Sequence, residues 1–179
     1  MNLSPRGHEQ GAALVTWLKR QPIDDIYASP MKRVQQTLAM LAGNGSPQPF
    51  IMEDLREVDF GDWTGLSWEA VQEKFGVSAF QWLELLERGA IGNAETGRSY
   101  RARIEPCLQE ILKRSSNRNV AVVCHGGVIR MLLAMLLDLP LPKMASFEID
   151  YASVTRVELF PHKTEVQFLN FTPWRELGL

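Results

Sequence analysis

Four short stretches hold the side chains with which this chain could handle a negatively charged group: Arg6-Gly7-His8-Glu9, Arg33 after Ser29-Pro30, Glu57 closing Asp54-Leu55-Arg56-Glu57, and His125-Gly126-Gly127. A histidine followed by two glycines, where a strand meets a helix, offers an imidazole beside backbone N–H groups such as that of Gly126. Such a helix start favours an anion. His125 can therefore donate to a phosphoryl oxygen. Arg33 adds a guanidinium fork that stays charged at any working pH. Glu57 leads into Val58-Asp59-Phe60-Gly61-Asp62-Trp63, whose aromatic residues can bury and orient a loop carboxylate. Partly desolvated beside an anion, that carboxylate would hold its proton more tightly and could act as a general acid.

Taken singly, each has an ordinary reading: His125 as a packed strand-end residue, Arg33 as an exposed helix arginine, Glu57 as a solvated loop glutamate. Their chemical case rests on meeting at one place. His8 stands apart, because Ser4 and Pro5 suit the cap and first turn of a helix. A residue inside the first turns of such a helix projects from its flank, whereas a nucleophile needs rigid placement at a strand end. We read His8 as an ordinary helix residue.

The elements that must position these groups follow from periodicity. Ala13, Leu14, Trp17 and Leu18 recur at helical spacing after Ser4-Pro5, and Ile26-Tyr27-Ala28 reads as a short strand. Ser29-Pro30 then makes a capped turn into a helix with Met31, Val34, Leu38 and Leu41 on one face. Gly43 to Pro47 is a breaker cluster before a short strand at Phe50-Ile51-Met52. Two short amphipathic segments between Trp68 and Glu87, the first capped by Ser67, form a helical insertion at about 67–99. A helix with Ile104, Cys107, Leu108, Ile111 and Leu112 as its stripe spans Tyr100 to Arg114. The run Asn119 to Cys124 has the continuous apolar, β-branched pattern of a strand buried on both faces. It passes through His125-Gly126-Gly127 into a helix from Val128 to Leu137. Tyr151 to Phe160 and Glu165 to Phe171 alternate around Pro161-His162-Lys163 as a closing hairpin. Strands alternating with helices predict an α/β three-layer domain, with 1–179 as one domain. In such sheets ligands bind beyond the carboxyl ends of the strands, where Arg33 and His125 fall.

Composition narrows the partners. A formal net charge of -2 over 179 residues supplies no basic field for nucleic acid. No stretch of about 18 apolar residues spans a membrane. Cys107 and Cys124 lack ligand spacing and suit free thiols in a reducing compartment, so we expect a cytoplasmic protein. The three histidines are far apart, and adjacent Cys124 and His125 point to opposite faces of a strand, so no metal site is expected. Walker, Rossmann and Gly-x-Ser-x-Gly motifs are missing.

Taken in order, LSPRGHEQG, IYASPMKRVQQT, LREVDFGDWTG and AVVCHGGVIR resemble the histidine phosphatase superfamily, in its phosphoglycerate mutase-like branch. The resemblance runs from about Leu3 to the C-terminus. It implies an α/β/α sandwich with a mostly parallel central sheet, and a phosphohistidine mechanism without metal or cofactor. In that mechanism a nucleophilic histidine attacks the phosphoryl group, two arginines and a second histidine hold its oxygens, and a glutamate protonates the leaving alcohol. By position, Arg33 resembles the second pocket arginine, His125 the second histidine and Glu57 the acid.

The departures matter too. The family's first strand ends in Arg-His-Gly-Glu or a close variant, carrying the nucleophile and first pocket arginine ahead of the segment that here begins with Leu3. Gly7 and Gln10 match marked positions of the following helix, and His8 does not. The resemblance therefore implies a chain without its first strand or nucleophile, inactive as it stands. Gly97-Arg98-Ser99 replaces a frequent Gly-Glu-Ser. The expected substrate is a small phosphorylated metabolite, with phosphate or sulfate able to occupy the pocket. Phosphoglycerate mutase-type transfer and a non-catalytic anion-binding protein remain alternatives, and exposed strand edges could drive self-association.

Overall fold

The computed structural model describes residues 1–43 and 45–178. Helix α1 runs Pro5–Leu18, with the Ser4 side chain accepting from the Gly7 N–H at 3.0 Å. Proline in the first turn loses no hydrogen bond there. Strand β1 (Asp25–Ala28) is followed by helix α2 (Lys32–Leu41), strand β2 (Pro49–Ile51), and the short helices α3 (Trp68–Phe75) and α4 (Trp82–Glu87). Then come helix α5 (Gly97–Arg114), strand β3 (Val120–Val123), helix α6 (Gly126–Leu136), and strands β4 (Val154–Phe160) and β5 (Lys163–Phe171).

The three-stranded parallel sheet has the order β2-β1-β3, with Tyr27 opposite both Phe50 and Val122. Side chains alternate across a strand, and the packing follows that period. Ile26, Ala28, Ala121 and Val123 meet Val15, Val34, Leu38 and Leu41 of α1 and α2. Tyr27, Val120 and Val122 turn to the other side, toward Ile104, Leu108 and Ile111 of α5 and Val128, Met131 and Leu132 of α6. Helices therefore cover both faces of the sheet, as the alternation of elements predicts. α1 and α2 approach closely because Gly11 has no side chain: a Cβ there would lie 2.7 Å from the Met40 methyl.

The element ends differ in instructive ways. Met31, not Ser29, occupies the cap position of α2 and gives no side-chain cap bond. Ser29 sits two residues earlier, its hydroxyl accepting from the Met31 N–H at 3.2 Å and its carbonyl from the Gln35 side chain at 2.7 Å. α5 starts at Gly97 rather than Tyr100, because Thr96 and Ser99 form a reciprocal capping box. α6 starts at Gly126, two residues earlier than the apolar pattern suggests.

β3 departs further from expectation. Its apolar run reads as a strand buried on both faces, yet Val120 to Val123 are all half-buried, and among the described residues the strand pairs only with β1. Side-chain pattern reports what covers a strand's faces; it carries no signal for its edges. β4 and β5 form a separate antiparallel sheet, packed on the core through Val157 and Leu169 and on Trp17 of α1 through Phe168 and Phe171. No helix among the described residues is long and apolar enough to cross a membrane.

Candidate active site

β1 and β3 are parallel neighbours, so their carboxyl ends open on one edge of the sheet. The Ser29 N–H donates to the Val123 carbonyl at 3.0 Å and carries the ladder one step past β1. His125 leaves β3 in extended conformation as the residue before α6. Across the two ends, Ser29 Oγ and His125 Nε2 lie 2.7 Å apart, both buried. Burial, reinforced by the charges of Arg33 and Arg103, pulls the His125 imidazole down to about 3. The ring is therefore neutral at any working pH. Gly126 is half-buried as the first residue of α6, where helix geometry leaves its N–H without an intrahelical acceptor.

Arg33 is the second residue of α2 and half-buried. Among the described residues its guanidinium makes no side-chain hydrogen bond or ion pair, while its charge reaches both His125 and Glu57. A fork of five donors left unpaired within the fold is available to a ligand anion.

Glu57 arrives on the loop after the Glu53–Leu55 turn, its backbone N–H against Met31 Sδ at 3.3 Å. Its carboxylate accepts from the Val58 N–H at 3.0 Å and from the Gly127 N–H at 3.3 Å. Burial pushes this carboxyl above its ordinary range, against the lowering effect of those donors and of Arg33 and Arg130. The close approach requires glycine at 127: a Cβ there would lie 2.4 Å from Glu57 Oε1. The structure thus brings Arg33, Glu57, His125 and Gly126, the residues singled out from sequence, to one edge of the sheet. His8 is an exposed residue of α1 and His162 an exposed residue of the β4–β5 turn. Neither is among the groups acting on Glu57 or His125.

Other residues complete the site without a motif to announce them. Arg103 of α5 forms a bidentate pair with Glu95 (2.8 and 2.7 Å) and donates to the carbonyls of Arg56 at 3.0 Å and Glu57 at 3.4 Å, fixing the loop that carries Glu57. Arg130 reaches back one turn of α6 to the Gly126 carbonyl at 3.2 Å and across to the Phe147 carbonyl at 3.1 Å. Its place in HGGVIR, four residues after Gly126, puts it on the same helix face, a signal that could have found it. Ser29 could have been suspected as the polar residue closing β1; the Arg103 bonds to the Arg56 and Glu57 carbonyls span 47 and 46 positions and leave no local trace. A hollow of about 240 Å³ among Leu18, Lys19, Ile23, Ile26 and Leu41 lies at the opposite, amino ends of β1 and β2. Among its described lining residues Lys19 is the one charged group.

A neutral imidazole, an unpaired guanidinium, a helix N-terminus and a proton-retaining carboxyl can hold a tetrahedral anion and give a proton to one of its oxygens. Comparison with known proteins gives the family. The family model of the histidine phosphatase superfamily (branch 1) matches residues 1–172. Phosphoserine phosphatase 1 of Hydrogenobacter thermophilus is 31% identical over 96% of this chain and 81% of its own length. The adenosylcobalamin/alpha-ribazole phosphatase of Salmonella typhimurium is 25% identical over 94% of this chain and 83% of its own. A mycobacterial glucosyl-3-phosphoglycerate phosphatase, solved with inorganic phosphate, shares the fold with a TM-score of 0.82 at 24% identity, covering 96% of this chain and 88% of that one.

Proposed function

Because the chain belongs to the histidine phosphatase superfamily, we propose that its site binds the phosphoryl group of a small phosphorylated metabolite for hydrolysis through a phosphohistidine. The observation that carries this reading is the neutral His125, bridged to Ser29 at 2.7 Å, at the same sheet edge as an Arg33 unpaired among the described residues and a Glu57 whose burial favours its protonated form. Arg33, His125 and the Gly126 N–H would hold the phosphoryl oxygens, stabilising charge where it develops. In the phosphohistidine reaction this pocket would serve, a nitrogen of a further histidine, distinct from His125, attacks phosphorus in line, the phosphorus–oxygen bond to the alcohol breaks, and Glu57 gives its proton to the leaving oxygen. Water then attacks the phosphohistidine and returns a proton to the Glu57 carboxylate, the phosphorus–nitrogen bond breaks, and phosphate leaves. The steps need neither metal nor cofactor.

Phosphate in the mycobacterial neighbour, and VO3 in another structure of that enzyme, support an anion at this site. The relatives named as phosphatases of phosphoserine and of alpha-ribazole support the phosphomonoester class. The helices at about 67–99 are read as an insertion that shapes the pocket within one domain spanning 1–179. Free cysteines at 107 and 124 fit the cytoplasm.

His125 serves as a clamp here, and His8 and His162 lie on exposed elements, so the described residues bring no nucleophilic histidine to the site. We therefore expect the 179-residue chain to bind phosphate without releasing it from an ester. Titration with phosphate and vanadate tests the first half. Assay of p-nitrophenyl phosphate, on the chain alone and on the chain extended at its amino end by an Arg-His-Gly strand, tests the second. Failure to bind phosphate, or an extended chain that folds and binds yet shows no turnover, would sink the reading.

A further inference from the structure

Tyr100 is wholly buried in the first turns of α5, and its hydroxyl has no hydrogen-bond partner among the described residues. Buried hydroxyls are almost always satisfied, and phenylalanine would fill the same hole without the polar atom. The position of the hydroxyl shows what it faces. A Cβ built on Gly127 would meet Tyr100 Oη at 3.2 Å and Glu57 Oε1 at 2.4 Å, so phenol and carboxylate flank the same bare glycine.

The surrounding charges decide which of the two donates. Burial, with the Glu57 charge next in weight, pushes the Tyr100 phenol well above its ordinary range, although the Arg103 guanidinium lies 4.9 Å from the ring centroid. Cys124, its thiol pushed up to about 12 by burial, also stays protonated. Glu95, the remaining carboxylate in reach, is engaged by Arg103. Arg33 and Arg130 face Glu57 from α2 and α6. The phenol therefore keeps a proton at any working pH, and the acceptor beside it with spare lone pairs is the Glu57 carboxylate, each of whose oxygens holds one backbone N–H.

We propose that Tyr100 is the positioning residue of Glu57: its hydroxyl, unpartnered among the described residues, turns to donate to the carboxylate once Glu57 is ionised and holds it against Gly127 at the start of α6. The inference rests on the reading of Glu57 as the acid of the site. Transfer of the Glu57 proton to a leaving group would then be met by a waiting donor, and the carboxylate would stay in place until water returns the proton.

The test is a carbon-13 titration of the Glu57 carboxyl in the 179-residue chain and in Tyr100→Phe. A hydrogen bond to the ionised form favours that form, so its loss is expected to move the Glu57 midpoint to higher pH, with thermal unfolding little changed. Coincident midpoints in the two proteins would overturn the proposal. Should Tyr100→Phe fail to fold, the carbon bearing the Tyr100 hydroxyl is followed in the unaltered chain and in Glu57→Gln. It should show a step at the Glu57 midpoint that disappears in the variant, and a flat trace in the unaltered chain would equally overturn the idea. Phosphate affinity is measured separately through Arg33 and His125, so failure of the phosphatase reading and failure of this one leave different marks.

Discussion

Ser29 Oγ and His125 Nε2 lie 2.7 Å apart and join the carboxyl ends of β1 and β3 into one buried polar contact. The Ser29 hydroxyl already accepts from the Met31 N–H at 3.2 Å, and among the described residues the acceptor left for its own proton is Nε2. The imidazole then carries its single proton on Nδ1, the nitrogen free to serve a ligand. Neutrality of His125 thus follows from burial and neighbouring arginines, and its tautomer from Ser29.

Nitrogen-15 spectra of His125 are therefore expected to show the Nδ1–H tautomer, unprotonated down to about pH 3. Stability carries the matching signature. An unfolded histidine takes up a proton near 6.5 while the native ring does not, so the unfolded state binds more protons between 6.5 and about 3. Stability should fall with acidity across that window by roughly 1.4 kcal/mol per unit. His125→Gln, which cannot protonate, should flatten this slope in urea unfolding series; an unchanged slope would show that the ring already titrates in the native state.

Arg33→Ala should separate binding from folding. The guanidinium makes no ion pair within the described chain, so its removal should shift stability by about 0.5 kcal/mol or less. A charge-assisted hydrogen bond to phosphate is worth about 1.5–3 kcal/mol, or roughly a 10- to 100-fold loss of phosphate affinity. Calorimetry with phosphate and a melting curve on the same sample read both numbers. Equal phosphate affinity would remove Arg33 from the site.

Arg103→Met should behave in the opposite way. Arg103 is 7% exposed and Glu95 17%, and the variant leaves Glu95 with only the Asp59 N–H while the Arg56 and Glu57 carbonyls lose their donor. The pair is half-buried, so breaking it from one side should cost less than the roughly 3–5 kcal/mol of a fully buried pair, about 1–3 kcal/mol. Burial pushes Glu95 up, but its bonds to Arg103 and Asp59 hold it below the ordinary 4.5. The contribution of the pair is full above 4.5 and lost as pH falls through the native value. Denaturant unfolding at neutral and acid pH should show a penalty that shrinks on acidification.

What sequence can reveal is local, and the outcome divides along that line. Ser4, Ser67 and the apolar stripes announced α1, α3 and α5, and the two glycines after His125 announced the helix start that faces the acid. Arg33, Glu57 and His125 stood out because each follows a strand or leads an aromatic loop. Ser29 meets His125 across 96 positions, Arg103 the Arg56 carbonyl across 47 and Arg130 the Phe147 carbonyl across 17, and residue type alone does not encode such distances. The half-buried β3 has the same cause: Val120 to Val123 specify two covered faces and are silent about a strand's edges.

Gly127 offers the sharpest test of the site's geometry, since its neighbour Gly126 is an internal control. Alanine at 126 would place Cβ 3.3 Å from Arg130 Nη1 and 3.9 Å from Ile149 Cγ2, a tight contact with the end of a flexible side chain. Alanine at 127 would stand 2.4 Å from Glu57 Oε1, and the carboxylate can retreat only by giving up the Val58 and Gly127 N–H groups. Alanine favours a helix over glycine by about 1 kcal/mol, whereas overpacking costs about 1–3 kcal/mol. Gly127→Ala should therefore destabilise the fold by up to about 2 kcal/mol, and Gly126→Ala should be close to neutral. The cause is checked by a double-mutant cycle: with Glu57→Ala the obstructing carboxylate is gone, and the Gly127→Ala penalty should shrink. A penalty of equal size in both backgrounds would place the obstruction at the Tyr100 hydroxyl, 3.2 Å from the same Cβ, instead of at the acid.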